Sequence, residues 1–112
     1  MSEHEVHTRL RSAMQVAGID ALVAHSMDNV TYTAGFLVPS QASNRFRRAI
    51  AVLAGETFGC QIVVTVEAPQ ARERSRFSDV RAYDQFADDP ADTLADALIE
   101  AGAGEGRIAL EL

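Results

Sequence analysis

The sequence predicts an α/β fold, specifically a three-layer α/β/α domain built on a mixed sheet of five or more strands. Three observations support this fold class. Apolar residues at helical spacing alternate with short β-rich segments along the chain. One of these segments, residues 19–24, is apolar almost throughout, as expected of a central strand that is covered on both faces. Two others are joined by only five residues, which is too short for a helical crossover, so they should pair antiparallel.

The first helix is predicted from apolar residues that recur on one face and stop before Gly18. Its predicted buried stripe consists of Val6, Leu10, Ala13, Met14 and Ala17. Arg9, Arg11 and Gln15 fall on the opposite face, where we expect them to contact water. Residues 19–24 then form the central strand.

Residues 26–36 (SMDNVTYTAGF) fit a strand or a helix by periodicity alone. The ends of the segment favour a short helix. Ser26 can accept a hydrogen bond from the first turn, Asp28 suits the positive end of a helix, and Gly35 can adopt the left-handed conformation that ends one. Residues 36–48 have no sustained period and contain Pro, Ser, Asn and Arg, so they predict an exposed loop.

The second half of the chain predicts a hairpin, two helices and two more strands. Residues 49–54 and 60–66 are the hairpin strands, and residues 67–76 form one or two helical turns that begin near Pro69. After a short strand at 80–83, Asp89 caps a helix that closes at Gly102, with a buried stripe of Ala91, Leu94, Ala97, Leu98 and Ala101. Residues 107–112 alternate as a strand that buries Ile108, Leu110 and Leu112. Because this strand ends on the last residue, we expect a piece of a longer polypeptide.

Composition narrows the function classes. The 112 residues carry a formal charge of -6 and have a pI near 4.9, which disfavours nucleic acid because phosphate binding requires clustered Lys and Arg. No apolar run approaches the roughly 20 residues that span a bilayer, and the first twenty residues carry His, Glu and Arg where a signal peptide would need an apolar stretch. We therefore expect no membrane partner and a cytoplasmic location. The single cysteine, Cys60, lies in an apolar strand and is expected to be a buried, inert thiol.

The candidates for chemistry are few. His4 and His7 have a metal-site spacing but lack a second ligand pair, His25 follows the central strand, and the glycines of residues 102–106 stand after a helix instead of before one. We expect structural roles for all of these. The remaining candidate is the arginine segment, Arg45, Phe46, Arg47 and Arg48. Three guanidinium groups beside an aromatic ring could clamp a carboxylate, although surface ion pairs explain the same residues more simply.

Four passages together resemble the N-terminal domain of the creatinase and prolidase family, the non-catalytic half of Xaa-Pro dipeptidases, aminopeptidase P and creatinase. They are RLRSAMQVAGIDALVAHSMDNVTYTAGF, the strand pair around RRAIAVLAG and QIVVTV, DVRAYDQF, and TLADALIEAGAGEGRIALEL. The first is the most specific, through Arg9, Leu10, Met14, Gly18, Ile19, Asp20, Ala21, Leu22, Asn29, Val30, Tyr32, Gly35 and Phe36. The segment PSQASNRF is longer than in many relatives, which weakens the transfer of any individual substrate contact.

The resemblance implies that residues 1–112 form one domain with a ribonuclease H-like motif, taken from a two-domain parent. The missing C-terminal partner would be a pita-bread catalytic domain, which in peptidase members binds two divalent metal ions, such as Mn or Co, through two Asp, one His and two Glu. This chain would then supply no catalytic residue, no metal ligand and no cofactor. It would form a homodimer and cover the neighbouring subunit's pocket, where Arg45, Phe46, Arg47 and Arg48 would contact the substrate.

The expected function is therefore that of a dimerisation and active-site-capping domain of an Xaa-Pro dipeptidase or related creatinase-type hydrolase. An alternative of a different class is a free-standing α/β module that binds a small carboxylate or a protein partner. A receiver-like or nucleotide-binding domain is a weaker third possibility, because the acidic cluster and the phosphate loop of those domains are missing from the sequence.

Overall fold

The computed structural model describes residues 3–39, 41 and 48–111. In chain order these residues form α1 (Glu3–Ala17), β1 (Ala21–Ala24), α2 (Met27–Ala34), β2 (Ile50–Ala54), β3 (Phe58–Val64), α3 (Ala68–Arg74), β4 (Val80–Tyr83), α4 (Pro90–Glu100) and β5 (Ile108–Leu110). A 3-10 turn, Thr65–Glu67, joins β3 to α3. Each predicted helix and strand is present, with ends displaced by a few residues in most cases.

The described strands form one five-stranded mixed sheet in the order β4-β3-β2-β1-β5. Strand β2 is antiparallel to both of its neighbours, β1 and β3, while the outer pairs β1–β5 and β3–β4 are parallel. Four of these strands therefore run in one direction, and β2 runs against them. The predicted hairpin is confirmed as β2–β3, and the predicted α/β fold class with a mixed sheet is confirmed with it.

Helices cover the two faces of the sheet unequally. Helices α1, α2 and α3 pack on one face, where the core contains Met14, Val30, Ala34, Leu53, Val63, Ala68 and Ala71. In the described chain α4 covers the other face, mainly over β3 and β4, with a core that contains Val23, Val52, Ile62, Tyr83 and Ala97. Strands β2 and β3 contribute alternate residues to both cores, which explains why their sequences are almost entirely apolar.

Helix ends follow their capping residues. Ser26 Oγ accepts a hydrogen bond from Asn29 N at 3.2 Å, and Gly35 ends α2 in the left-handed conformation with a φ of 71°. Asp89 Oδ1 accepts from Ala91 N at 2.9 Å at the start of α4. These contacts confirm that residues 26–36 contain a helix, because an extended strand would use neither the cap nor the positive φ.

Several sequence predictions about exposure are wrong. Phe36 and Val38 begin the predicted exposed loop, yet both are buried in the core. Arg11 is not simply in water, since its guanidinium group binds the β2–β3 turn. Conversely, Ala13 and Ala17 of the α1 stripe and Ala91 of the α4 stripe are exposed. Small alanines at the margin of a stripe lose little by facing water.

The predicted burial of β5 is also wrong. Ile108 is 38% exposed and Leu110 is 56% exposed, and Leu112 lies outside the described residues. The cause is position: β5 is an edge strand, and α4 lies mainly over β3 and β4 at the far side of the sheet. Within the described ranges, no helix combines the length and apolarity needed to cross a bilayer.

Candidate functional site

The candidate site lies at the edge of the sheet where the four parallel strands end. At this carboxyl edge β1 leads into His25, β3 into Thr65, β4 into Asp84 and β5 into Glu111. Strand β2, which runs the other way, begins here at Ile50, two residues after Arg48. Open α/β sheets bind ligands at this edge because loops and helix ends converge there. Arg48, the described residue of the arginine segment predicted from the sequence, therefore lies at this edge.

Arg48 is the described part of the arginine segment, whereas Arg45, Phe46 and Arg47 lie outside the described residues. Arg48 is exposed, and its carbonyl oxygen accepts a hydrogen bond from the Tyr83 hydroxyl at 2.8 Å. Tyr83 is only 2% exposed, and its burial raises the pKa of the phenol although the contact with Arg48 acts in the opposite direction. Tyr83 thus remains a protonated donor that fixes the Arg48 backbone at the carboxyl edge.

The other described end of the loop is also anchored at this edge. Gln41 Nε2 donates a hydrogen bond to the carbonyl oxygen of His25 at 2.8 Å and lies 3.4 Å from that of Ala49. The chain positions on both sides of residues 42–47 are therefore held beside the ends of β1 and β2.

A groove of about 390 Å³ lies beside Arg48 and Tyr83 on the α4 face. Its apolar walls come from Val23, Ile50, Leu94 and Leu110, and polar groups surround its mouth. Arg48 is the single arginine or lysine among the described residues that line it, and Asp88 and Asp89 stand opposite at the start of α4. Both carboxylates already accept backbone hydrogen bonds, Asp88 from Asp84 N and Asp89 from Ala91 N, each at 2.9 Å. The described lining of the groove therefore combines one guanidinium group with two carboxylates.

Glu111 is a structurally important residue at this edge that the sequence did not reveal. Its carboxylate accepts hydrogen bonds from Ser26 N at 2.9 and 3.1 Å and from Asn29 Nδ2 at 3.0 Å. Partial burial raises the pKa of Glu111, but these hydrogen bonds outweigh it and lower the pKa to about 2. The carboxylate thus fastens the end of β5 to the first turn of α2. No local pattern could predict this contact, because 85 residues separate the partners.

Of the remaining sequence candidates, His7, His25 and Cys60 can be placed, whereas the side chain of His4 lies outside the described residues. His7 Nε2 lies 2.8 Å from the carbonyl oxygen of Thr33, and His25 Nε2 lies 2.7 Å from that of Glu111. Cys60 is fully buried, which confirms the predicted burial, and burial raises the pKa of its thiol to about 12. In the described part of the chain, no three His, Cys, Asp or Glu side chains come close enough together to hold a metal ion.

Comparison with known proteins gives one family match. The model for the family described as Creatinase/Prolidase N-terminal domain matches residues 7–112. None of the curated protein sequences matches this chain.

Several solved structures share the fold. A proline dipeptidase from Streptococcus pneumoniae TIGR4 superposes with a TM-score of 0.76 at 17% identity, covering 94% of this chain and 72% of its own. An Xaa-Pro dipeptidase from Bacillus anthracis gives a TM-score of 0.76 at 17% identity, with 98% of this chain and 34% of its own covered. An X-Pro aminopeptidase from Thermotoga maritima MSB8 gives a TM-score of 0.70 at 23% identity, with 94% of this chain and 26% of its own covered. The chain thus spans about a quarter to a third of the two longer structures.

Proposed function

Because the chain belongs to the creatinase/prolidase N-terminal domain family, we propose that it is the non-catalytic dimerisation and active-site-capping domain of an Xaa-Pro dipeptidase or related creatinase-type hydrolase. The observation that carries this proposal is the family match over residues 7–112. The structural neighbours support it, since they include a proline dipeptidase, an Xaa-Pro dipeptidase and an X-Pro aminopeptidase.

The proposal assigns the chemistry to a C-terminal pita-bread domain of the same parent. That domain would hold two divalent metal ions, such as Mn or Co, and activate water for attack on the bond before proline. The N-terminal domain described here would position the substrate and contribute specificity. The parent would be a cytoplasmic homodimer. The coverage of only 26% of the Thermotoga maritima structure supports a parent with room for a separate catalytic domain.

The arginine segment would provide the capping contact. Arg48 enters the carboxyl edge on a backbone that is fixed by Tyr83 Oη, and the described residue on the other side of the loop, Gln41, is fixed to the same edge. We propose that Arg45, Phe46, Arg47 and Arg48 extend into the neighbouring subunit's pocket. There an arginine would pair bidentately with the free carboxylate of a dipeptide, and Phe46 would shape the pocket wall.

This assignment is tested by measuring how strongly the activity of the full-length parent depends on the free carboxylate of the substrate. The experiment compares kcat/KM for an Xaa-Pro dipeptide with kcat/KM for the same dipeptide as its C-terminal amide, in the parent and in its Arg47→Ala and Arg48→Ala variants. A lost charge-assisted pair contributes about 1.5–3 kcal/mol, so at least one variant should lose roughly 10- to 100-fold on the acid and much less on the amide. Arg74→Ala, on the exposed end of α3, is the matched control.

If kcat/KM falls equally for the acid and the amide, or does not fall in either variant, these arginines have only a surface role. The parent itself is tested by reading the coding sequence beyond Leu112 for two Asp, one His and two Glu in pita-bread order. If that set is missing, the free-standing module that binds a carboxylate or a protein partner becomes the better assignment.

A further inference from the structure

Tyr83, at the end of β4, reaches across the sheet to the segment that leads into β2. In the β3–β4 ladder Tyr83 is paired with Val64, and in the β2–β3 ladder Ile50 is paired with Ile62. The β2–β3 register, continued by two residues, places Arg48 opposite Val64. Tyr83 and Arg48 therefore occupy one row of the sheet, two strands or roughly 9 to 10 Å apart. The phenol spans this gap, because its hydroxyl donates to the Arg48 carbonyl oxygen at 2.8 Å.

Both ends of this tyrosine are held in place. Tyr83 is buried, and its side chain belongs to the core under α4 together with Val64 and Ala97. Its backbone carbonyl accepts a hydrogen bond from Thr65 Oγ1 at 3.1 Å. A ring in a closely packed core has few alternative rotamers. Tyr83 is therefore a rigid link between β4 and the segment that leads into β2.

The peptide unit between Arg48 and Ala49 is held from both faces of the sheet. On the α4 face its carbonyl oxygen accepts from Tyr83, and on the other face the fully buried Ala49 packs in the core under α1, α2 and α3. Because a peptide unit is planar, these two contacts together fix the position of the Arg48 Cα atom. The exposed Arg48 side chain, which lines the groove, thus leaves the sheet from a fixed point.

We propose that Tyr83 is a positioning residue for substrate recognition, whose hydroxyl holds the Arg48 peptide and thereby orients Arg48 toward the free carboxylate of the substrate. This inference rests on the proposed function, in which an arginine of this segment binds that carboxylate, and it adds a residue that does not contact the substrate itself. A bidentate guanidinium–carboxylate pair requires a defined direction of approach. Loss of the anchor should therefore lower the affinity for the carboxylate while the charge stays in place.

Steady-state kinetics of the full-length parent and its Tyr83→Phe variant test the proposal. Phenylalanine keeps the buried ring and removes the hydroxyl. Loss of one ordinary hydrogen bond corresponds to a change of roughly 2- to 10-fold, so KM for the Xaa-Pro dipeptide should rise by this factor. The value of kcat should stay nearly constant, and the C-terminal amide should respond little. Tyr32→Phe removes the hydroxyl of the chain's other tyrosine, which is 45% exposed, and is the matched control that should leave KM unchanged.

A double-mutant cycle separates positioning from simple structural damage. If Tyr83 acts through Arg48, Tyr83→Phe should have no further effect on KM in the Arg48→Ala background. Ala49→Gly loosens the same peptide from the opposite face of the sheet without removing a polar group, so it should also raise KM for the acid. Thermal melting checks that each variant is folded at the assay temperature, and Ala49→Gly keeps the proposal falsifiable if Tyr83→Phe is not.

The outcomes distinguish this inference from the proposed function. Suppose that Arg48→Ala raises KM for the acid and much less for the amide. If Tyr83→Phe then leaves KM unchanged, raises it equally for both substrates, or still raises it in the Arg48→Ala background, Tyr83 has a structural role only, and the inference is overturned while the capping role stands. If Arg48→Ala does not discriminate between acid and amide, Arg48 does not bind the carboxylate. The inference fails in that case too, and Arg47→Ala alone decides the capping role.

Discussion

Replacing Arg11 with methionine should destabilise the fold even though Arg11 was expected to contact only water. From α1 its guanidinium group reaches the β2–β3 turn. Nη1 donates to the carbonyl oxygens of Ala54 at 3.1 Å and Gly55 at 2.9 Å, and Nη2 donates to that of Phe58 at 2.9 Å. Methionine keeps the length of the aliphatic stem and a similar helix propensity, so the substitution removes mainly these three bonds.

The size of the loss follows from the environment of the three bonds. Hydrogen bonds to charged groups contribute about 1.5–3 kcal/mol when buried, and much less when water competes for both partners. The bonds to Ala54 and Phe58 are partly buried, whereas that to Gly55 is exposed. Burial also lowers the pKa of Arg11, so part of the gain offsets desolvation of the charge. We therefore expect a net loss of about 2 kcal/mol, or roughly 1 kcal/mol for each partly buried bond.

Urea and thermal unfolding measure this loss. For 112 residues the unfolding entropy is about 0.24 kcal/mol/K, so a loss of 2 kcal/mol lowers the melting temperature by about 8 °C. Arg9→Met, at an exposed position on the same helix, is the control, and Arg11→Lys should fall between the two because it keeps the charge without the fork. If Arg11→Met costs no more than Arg9→Met, the guanidinium–carbonyl contacts contribute nothing to stability.

Two further substitutions test one polar side chain with several hydrogen-bond partners and one buried polar side chain with none among the described residues. Glu111→Gln should cost about 1 kcal/mol at pH 7. Folding lowers the pKa of Glu111 from about 4.3 to about 2, so the carboxylate contributes fully to stability above pH 5 and loses this contribution as the pH falls toward 2. Urea titrations should therefore show that the difference in unfolding free energy between Glu111→Gln and wild type shrinks over that range. A difference that does not change with pH would refute the assignment. Gln61→Met should stabilise the fold by about 1–3 kcal/mol, because both amide atoms of this buried side chain lack a partner among the described residues. The exposed Gln15→Met is its control, and an unchanged or lower urea midpoint for Gln61→Met would contradict the expectation.

The sequence predicted best those elements whose ends carry local chemistry. Ser26, Gly35, Asp89 and Pro90 act within one turn of their own helix, so the caps of α2 and α4 could be predicted from neighbouring residues. The β2–β3 hairpin was equally predictable, because a five-residue link leaves antiparallel pairing as the simplest solution. These features depend on contacts of short sequence separation.

The sequence predicted worst the features that depend on what lies across the sheet. The alternation in residues 107–112 correctly predicted a strand, but alternation does not say whether any element covers the apolar face, and α4 lies elsewhere. In the same way Arg11, Glu111 and Tyr83 bind partners 35 to 85 residues away, beyond the range of any periodicity. For the site, sequence alone predicted the arginine segment, whereas the anchoring of Arg48 by Tyr83 required the fold.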